Sequence, residues 1–369
     1  MDSALIWEMV IKALVLILAL LTGFAYLTYY ERRGLARIQS RLGPNRAGPQ
    51  GLLQPVADAV KLIFKEEFIP GQAYKVIFIL APIITVVPAI LITATVPWGG
   101  TVTIGGREVL LGIADINVGV LYIMSVASIA VYGVVLGGWA SNNKYAMMGG
   151  LRSTAQMVSY ELALGLSFVG VILLANSMRM TEIVEAQRGL WFAFLQPVGA
   201  VVFFFATLAE LNRGPFDMPE AEQELSAGYN VEYSGMKFAL FFMAEYTKMV
   251  SISAIIATLF WGGYRGPFID TMPWLGPLYI FIKILIILFM MIWVRASWPR
   301  IRYDRLMDLG WKILLPLSLS LVFINAIGIL LSETYGEIWI WVIFPISLIA
   351  GYIAVQAINL SLRRKENAR

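Results

Sequence analysis

Cysteine and histidine are both absent from the 369 residues, and the two absences together exclude several kinds of chemistry. Iron–sulfur clusters are held by thiolates, occasionally with imidazole, and haem iron nearly always by His or Cys. Structural zinc sites usually include one of the two. The chain is therefore expected to hold no haem, cluster or zinc, so any electrons involved travel in a partner. Nucleophiles of the Ser-His-Asp or Cys-His kind are excluded for the same reason. Charge is the next scarcity: 14% of residues are charged and 59% hydrophobic, whereas a soluble domain carries roughly 25% charged residues. One multi-spanning membrane domain over 1–369 fits that balance better than two or three soluble domains. The first apolar run, Ile6 to Tyr30, is too long for a signal-peptide core and ends in Glu31-Arg32-Arg33 with no small-residue cleavage site, so no cleaved leader is expected.

A hydrocarbon core of about 30 Å asks for about 20 apolar residues per helix. Nine stretches meet that demand: 8–30, 75–97, 118–140, 155–175, 194–212, 237–260, 276–296, 312–331 and 338–361. The fold class read from them is an all-α polytopic membrane protein. Basic residues decide its orientation. Twenty-one Lys and Arg fall on the side of the loops after spans one, three, five and seven, and four (Arg107, Arg179, Arg188 and Arg265) on the other. An outside N-terminus and a cytoplasmic C-terminus are predicted. Each basic cluster abuts a span, so the clusters read as topology signals and no nucleic-acid partner is expected.

Two connecting segments have patterns of their own. TVTIGGREVLL (101–111) alternates around Gly105-Gly106 and predicts a short β-hairpin on the outer side. Within the first cytoplasmic loop, 31–74, the stretch GLLQPVADAVKLIFKEEF (51–68) sets Leu52, Leu53, Val56, Val60, Ile63 and Phe64 at helical spacing. Gln54, Asp58, Lys61 and Lys65 take the opposite face. A helix lying in the lipid headgroups on the cytoplasmic side is predicted, either as the roof of a site entered from the lipid or as a surface helix only.

Glu161, Glu210 and Glu245 fall inside or at the ends of spans, as do Lys12, Lys248 and Lys283. An ionisable group at the bilayer centre costs at least ~2.5–3.5 kcal/mol, so three glutamates need a reason. Burial favours the neutral carboxyl, which suits a proton relay; static pairing with a cation is the alternative. Lys248, three residues after Glu245 on one helical face, is the partner that alternative suggests. Lys12 and Lys283 read as snorkelling or structural cations.

The densest charge lies in a cytoplasmic loop, 211–236, containing NRGPFDMPEAEQELSAGYNVEY. Gly214-Pro215 ends span five, because proline disfavours helix at the residue before it. Asp217-Met-Pro-Glu220 resembles a capping box that would start a short helix running to about Ala227. On such a helix Glu220 and Glu224 share a face and repel, so cations are expected opposite them, the nearest being those of the first and seventh loops. Acidic loop against basic loops predicts a polar cavity at the membrane surface.

Four stretches carry a family resemblance: ERRGLARIQSRLGPNRAGPQGLLQPVADAVKLIFKE (31–66), GWASNNKYAMMGGLRSTAQMVSYE (138–161), AELNRGPFDMPEAEQELSAGYNVEYSGMKFALFFMAEY (209–246) and RASWPRIRYDRLMDLGWKILLPL (295–317). From about residue 8 to 331 the chain resembles the family of quinone-site membrane subunits of respiratory complex I, the proton-pumping NADH:quinone oxidoreductase. The resemblance implies eight core spans, so 338–361 would be an additional C-terminal one. It implies that Arg32, Arg37, Arg41 and Asp58, with Lys61 beside them on the polar helix face, lie at a quinone chamber completed by the peripheral arm. Arg213, Asp217, Glu220, Glu222, Glu224 and Glu232 would form the charged loop beneath it, and Glu161, Glu210 and Glu245 the start of a proton path. No residue is expected to be catalytic in itself and no metal to be bound. Quinone, either ubiquinone or menaquinone, would be substrate, with NADH, flavin and iron–sulfur clusters in partner subunits. Expected partners are the peripheral-arm quinone-site subunits, the small membrane subunits leading to the antiporter-like ones, and membrane lipid; the expected location is a bacterial plasma (inner) membrane. Two positions depart from the family pattern: Ser128 stands where some members have Glu, and Lys248 where a neutral residue is common. The related subunit of a membrane-bound hydrogenase or ferredoxin-linked complex is the alternative reading. A freestanding ion transporter is disfavoured because no internal inverted repeat is evident.

Overall fold

The structure, a computed structural model, describes residues 3–104, 107–218 and 227–367. Helices dominate: α1 (Ser3–Ile38), α2 (Gln54–Phe64), α3 (Lys75–Leu91), α4 (Gly119–Ala140), α5 (Lys144–Ala175), α6 (Met180–Ala186), α7 (Phe192–Leu195) and α8 (Pro197–Glu210) precede the acidic loop. After it come α9 (Gly235–Phe260), α10 (Gly276–Ser297), α11 (Tyr303–Leu309), α12 (Leu315–Tyr335) and α13 (Ile343–Asn367). Two short strands, β1 (Thr101–Ile104) and β2 (Arg107–Leu110), pair antiparallel with Val102 opposite Val109, the hairpin expected between spans two and three.

Among the described residues eight helices are long and apolar enough to cross a membrane. The fifth stretch, expected over 194–212, is instead the 14-residue α8, set off from α7 at Gln196. At 1.5 Å per residue α8 covers about 21 Å, short of a full crossing. It packs among α5, α9, α12 and α13, so protein covers its ends and lipid does not dictate its length. Two other boundaries move well outward. Helix α1 continues to Ile38, which puts Arg32 and Arg37 on its last turns, and α5 begins at Lys144, eleven residues before the expected edge.

The segments 39–74, 141–143, 211–218, 227–234 and 298–302 gather at one end of the bundle, here the polar end. Helix α9 forms its axis, with 72% of its most apolar window buried. Proline shapes its neighbour. Pro82 inside α3 cannot donate to the Phe78 carbonyl, as an α-helical N–H would; the Tyr233 hydroxyl donates to it instead at 3.2 Å, and the Tyr233 ring stacks on Phe78. Ser251 of α9 likewise donates to the Ala89 carbonyl of α3 at 3.0 Å. Helix α13 lies against α8 and α12, with Gly351 at Val198 and Gly328 at Ile343.

Candidate functional site

Two arms of the polar end meet at α2. Its start is fixed by Pro55, and its apolar residues Val56, Val60, Ile63 and Phe64, with Leu52 just ahead of it, are exposed, as a helix lying in the headgroup layer requires. On the other face Asp58 accepts from Arg32 at 2.6 Å and from Gln54 at 3.2 Å, with Lys61 at 3.5 Å. Arg32 is thereby used to tie α1 to α2. Arg37 and Arg41 are exposed and make no ion pair among the described residues.

The acidic loop is held by neutral donors before its charges are considered. Gln156 of α5 donates to the carbonyls of Ala209 (2.7 Å) and Phe216 (2.9 Å), and Asn212 donates to Ser153 at 2.9 Å. The Ile301 amide donates to Pro215 at 3.1 Å, joining this loop to the one after α10. Arg300 of that latter loop meets Asp217 at 3.0 Å, the pairing of acidic and basic loops that the sequence predicts. Glu232 instead accepts from the Asn143 side chain at 2.6 Å. Glu220, Glu222 and Glu224, with the expected capped helix, lie outside the described residues.

From this loop a line of alternating charge runs into the bundle. Glu31, on the last turns of α1 and 3% exposed, pairs with Arg295 of α10 and with Arg213 at 2.6 Å. Arg213 also reaches Glu245 of α9 at 3.0 Å and sits over the Tyr246 ring, 4.4 Å from its centroid. One helical turn further, Lys248 lies 2.9 Å from Glu210, the last residue of α8. Beyond them Glu161 of α5 contacts the Ser128 hydroxyl of α4. Glu210 and Lys248 line two cavities, one with Glu161, Met124 and Thr207, the other with Glu245, Asn212 and Tyr229.

This arrangement corrects the pairing suggested by helical spacing. Lys248 does share a face with Glu245, but the Arg213 guanidinium already occupies that carboxylate, and α8 ends with Glu210 aimed at the ammonium. The remaining two intramembrane lysines are structural. Lys12 pairs with Glu8 at 2.6 Å, and Lys283 donates to the carbonyls of Trp261, Gly263 and Arg265 at 2.6–2.8 Å, closing the end of α9. Glu31 is the member that sequence reasoning missed. It stands at the head of an obvious basic run, and its partners are 182 and 264 residues away.

Protonation differs between the two ends of the site. Burial pushes the Arg213 guanidinium toward losing its proton, but Glu245 and Glu31 outweigh it and hold the group charged. At Asp58 burial pushes the carboxyl up, yet the Arg32 hydrogen bond and charge, with Gln54 and Lys61, bring it below the usual range. At Asp217 burial wins over Arg300, Arg295 and Arg213, and the carboxyl is raised. Opposite pH dependences follow. With its folded value depressed, Asp58 contributes stability above the ordinary carboxylate value that is lost as pH falls through the folded one. Asp58→Asn should therefore lower the melting temperature of the assembled protein at neutral pH, by the equivalent of at most ~1 kcal/mol for so exposed a pair, and the deficit should close in acid. For Asp217, raised in the fold, the contribution is present below the ordinary value and lost as pH rises. Asp217→Asn should gain on the parent as pH rises above the ordinary carboxylate value, a gain read as the difference in melting temperature across the acid range.

A multi-pass helical membrane protein, with a buried ladder of carboxylates and cations opening at one polar end, is the class that these features define. A family model described as NADH dehydrogenase matches residues 11–326. The chain is 49% identical over 331 residues to an H subunit of NADH-quinone oxidoreductase (the one numbered 2) from Geobacter metallireducens, covering 86% of this chain and 94% of that protein. It is also 49% identical over 305 residues to the NADH-quinone oxidoreductase H subunit of Protochlamydia amoebophila (83% and 92% covered), and 49% identical over 315 residues to that of Thermomicrobium roseum (83% and 91%). The chain belongs to this NADH dehydrogenase family, as a membrane subunit of an oxidoreductase that is also a translocase. The matched region ends within α12, so α13 lies beyond it.

Proposed function

We propose that this chain completes the quinone-binding chamber of an NADH-quinone oxidoreductase and couples quinone reduction by a peripheral arm to proton translocation. The observation that carries the reading is the buried ladder Arg295–Glu31–Arg213–Glu245, followed by Lys248–Glu210 and Glu161, leading from the polar end into the bundle. Exposed Arg37 and Arg41 beside an amphipathic helix support a chamber that partner subunits close. Quinone is the substrate; NADH, flavin and iron–sulfur clusters belong to the partners, and small membrane subunits receive the protons. The polar end is cytoplasmic, the N-terminus outside, and the membrane a bacterial plasma membrane.

The physics of coupling is electrostatic. Reducing a quinone places charge in the chamber until protons arrive. At an effective dielectric of about 20, a unit charge about 10 Å from a carboxylate is worth about 1.7 kcal/mol, more than tenfold in its proton equilibrium. Acids crowded together titrate as a set, so a shift at one moves protons among all. The loop acids from Asp217 to Glu232 receive that disturbance, and Glu245, Glu210 and Glu161 carry it inward.

The test uses the complete complex reconstituted in liposomes. Arg41→Ala should lower quinone reduction at least tenfold while reduction of a hydrophilic artificial acceptor by the peripheral arm stays near normal. Glu220→Gln and Glu224→Gln should lower the protons moved per electron with normal subunit content. A parallel fall of both activities in Arg41→Ala, with normal proton yield in both loop variants, would leave only a role in assembly.

A further inference from the structure

We infer that the far end of α9 is a binding site for a primary ammonium ion, filled in this protein by the tethered side chain of Lys283. The carbonyls of Trp261, Gly263 and Arg265 and the face of Trp191 form it. The site lies at the opposite end of α9 from the acidic loop, so it stands whether or not the chain couples quinone reduction to proton movement.

Helix α9 ends at Phe260, and the last carbonyls of a helix lack amide partners within it. Two glycines then turn the chain. Gly262 and Gly263 have φ of 70° and 52°, a region that residues with a Cβ rarely enter. The Gly263 amide donates back to Ala257 at 2.8 Å and the Arg265 amide to Gly262 at 2.9 Å, so the turn closes on itself. The Trp261, Gly263 and Arg265 carbonyls are left over, and no backbone amide among the described residues reaches them. All three converge on Lys283 Nζ of α10, at 2.6, 2.8 and 2.7 Å. An ammonium on a side chain has three hydrogens, and each finds one oxygen.

The surroundings are built for a cation and not for an ion pair. Lys283 is 8% exposed, and the acids paired on this turn, Glu185 and Asp270, meet Arg265 instead. The Trp191 ring centroid lies 4.9 Å from the nitrogen, within reach of cation–π attraction. Gln187 accepts from the Gly262 amide at 2.9 Å and from the Phe192 amide at 3.3 Å, fixing the turn to the segment that carries Trp191. A Cβ on Gly262 would meet the Trp191 ring at 3.0 Å, and one on Gly263 would meet Val184 at 2.7 Å, so neither wall can drift inward. The charge is thus met by peptide dipoles, an aromatic face and the negative end of the α9 dipole. Carbonyl oxygens that replace a cation's water work in the same way. What the cradle recognises is the ammonium head; the methylenes of Lys283 are a tether that latches α10 to the end of α9.

The test replaces the tethered head by a free one in the purified complex. Lys283→Ala removes everything beyond Cβ, a fragment equivalent to n-propylammonium. Its melting temperature should fall by several degrees, and n-propylammonium chloride should restore roughly half or more of the loss along a saturable curve. Tetramethylammonium chloride carries the same charge without an N–H and should restore nothing, as should sodium chloride. The parent should respond to none of the three. Lys283→Met keeps the length of the side chain but leaves three buried carbonyls unmet, so it should melt below the parent and stay indifferent to every salt. Lys283→Arg should also melt lower, because a planar fork cannot direct three donors from one point. If Lys283→Ala fails to accumulate, propylammonium in the growth medium should bring the assembled complex back and tetramethylammonium should not. Lys283→Met as stable as the parent would overturn the site, as would Lys283→Ala recovering equally in all three salts or in none.

Discussion

Arg213→Met should nearly abolish accumulation of the assembled complex, because one guanidinium compensates two buried carboxylates. The Arg213, Glu31 and Glu245 side chains are 8%, 4% and 15% exposed. Removing one partner of a buried ion pair typically costs ~3–5 kcal/mol, since the orphaned charge stays out of water. That is a large share of the ~5–15 kcal/mol by which a domain is stable. Lysine should rescue only in part. Its compact ammonium keeps the charge, but it lacks the planar fork that lets Arg213 reach Glu31 and Glu245 at once. The informative variant is the triple change Arg213→Met, Glu31→Gln and Glu245→Gln, which removes the charges together. Neutral replacement of a whole buried ionic group is often tolerated, so subunit content on native gels should recover while protons moved per electron should not. Normal accumulation and heat stability in Arg213→Met alone would mean that water reaches these groups and that the ladder is not a closed one.

The contrast between Arg213 and Glu31 shows what the sequence makes legible. Apolar runs of the right length identify the long helices, because lipid imposes a length on any segment it surrounds. The same logic sets a fifth span at 194–212, whereas α8 is wrapped by protein and obeys packing instead. The acids at 161, 210 and 245 are visible as isolated charges in apolar stretches. Their partners are not, since helical spacing points only along one helix: it suggests Lys248 for Glu245, and the fold gives Lys248 to Glu210. Glu31 is hidden by the arginines beside it. The long loop motifs, in turn, lead to the family more directly than the residue physics does, and the proposal that ties the charge ladder to quinone chemistry rests on family membership. Arg37 and Arg41 mark the remaining limit, because neither has an ion-pair partner among the described residues from which a role could be read.

Packing at the far side of the acidic loop gives a second large effect, read from two adjacent glycines of α5. A Cβ on Gly149 would lie 2.7 Å from the Gly228 Cα and 2.8 Å from the Tyr229 amide nitrogen. Both are backbone atoms of the 3-10 turn that closes the loop, and no side-chain rotation can relieve the clash. A Cβ on Gly150 would find nothing nearer than the Val134 carbonyl at 3.5 Å, an ordinary contact. Helix propensity favours alanine over glycine at both sites by roughly 0.5–1 kcal/mol, so sterics alone separate the two substitutions. Gly149→Ala must push the turn off α5, taking with it Tyr229, whose ring packs edge-on against Phe241, and Glu232, which accepts from Asn143. Overpacking of this kind costs ~1–3 kcal/mol, and Gly149→Val should exceed that. The expected result is that Gly150→Ala matches the parent in melting temperature and quinone reduction. Gly149→Ala should melt several degrees lower and lose quinone reduction at least tenfold, with reduction of an artificial acceptor by the peripheral arm intact. Equal activity in the two alanine variants would show that the turn yields freely, and that quinone chemistry does not depend on where α5 holds the acidic loop.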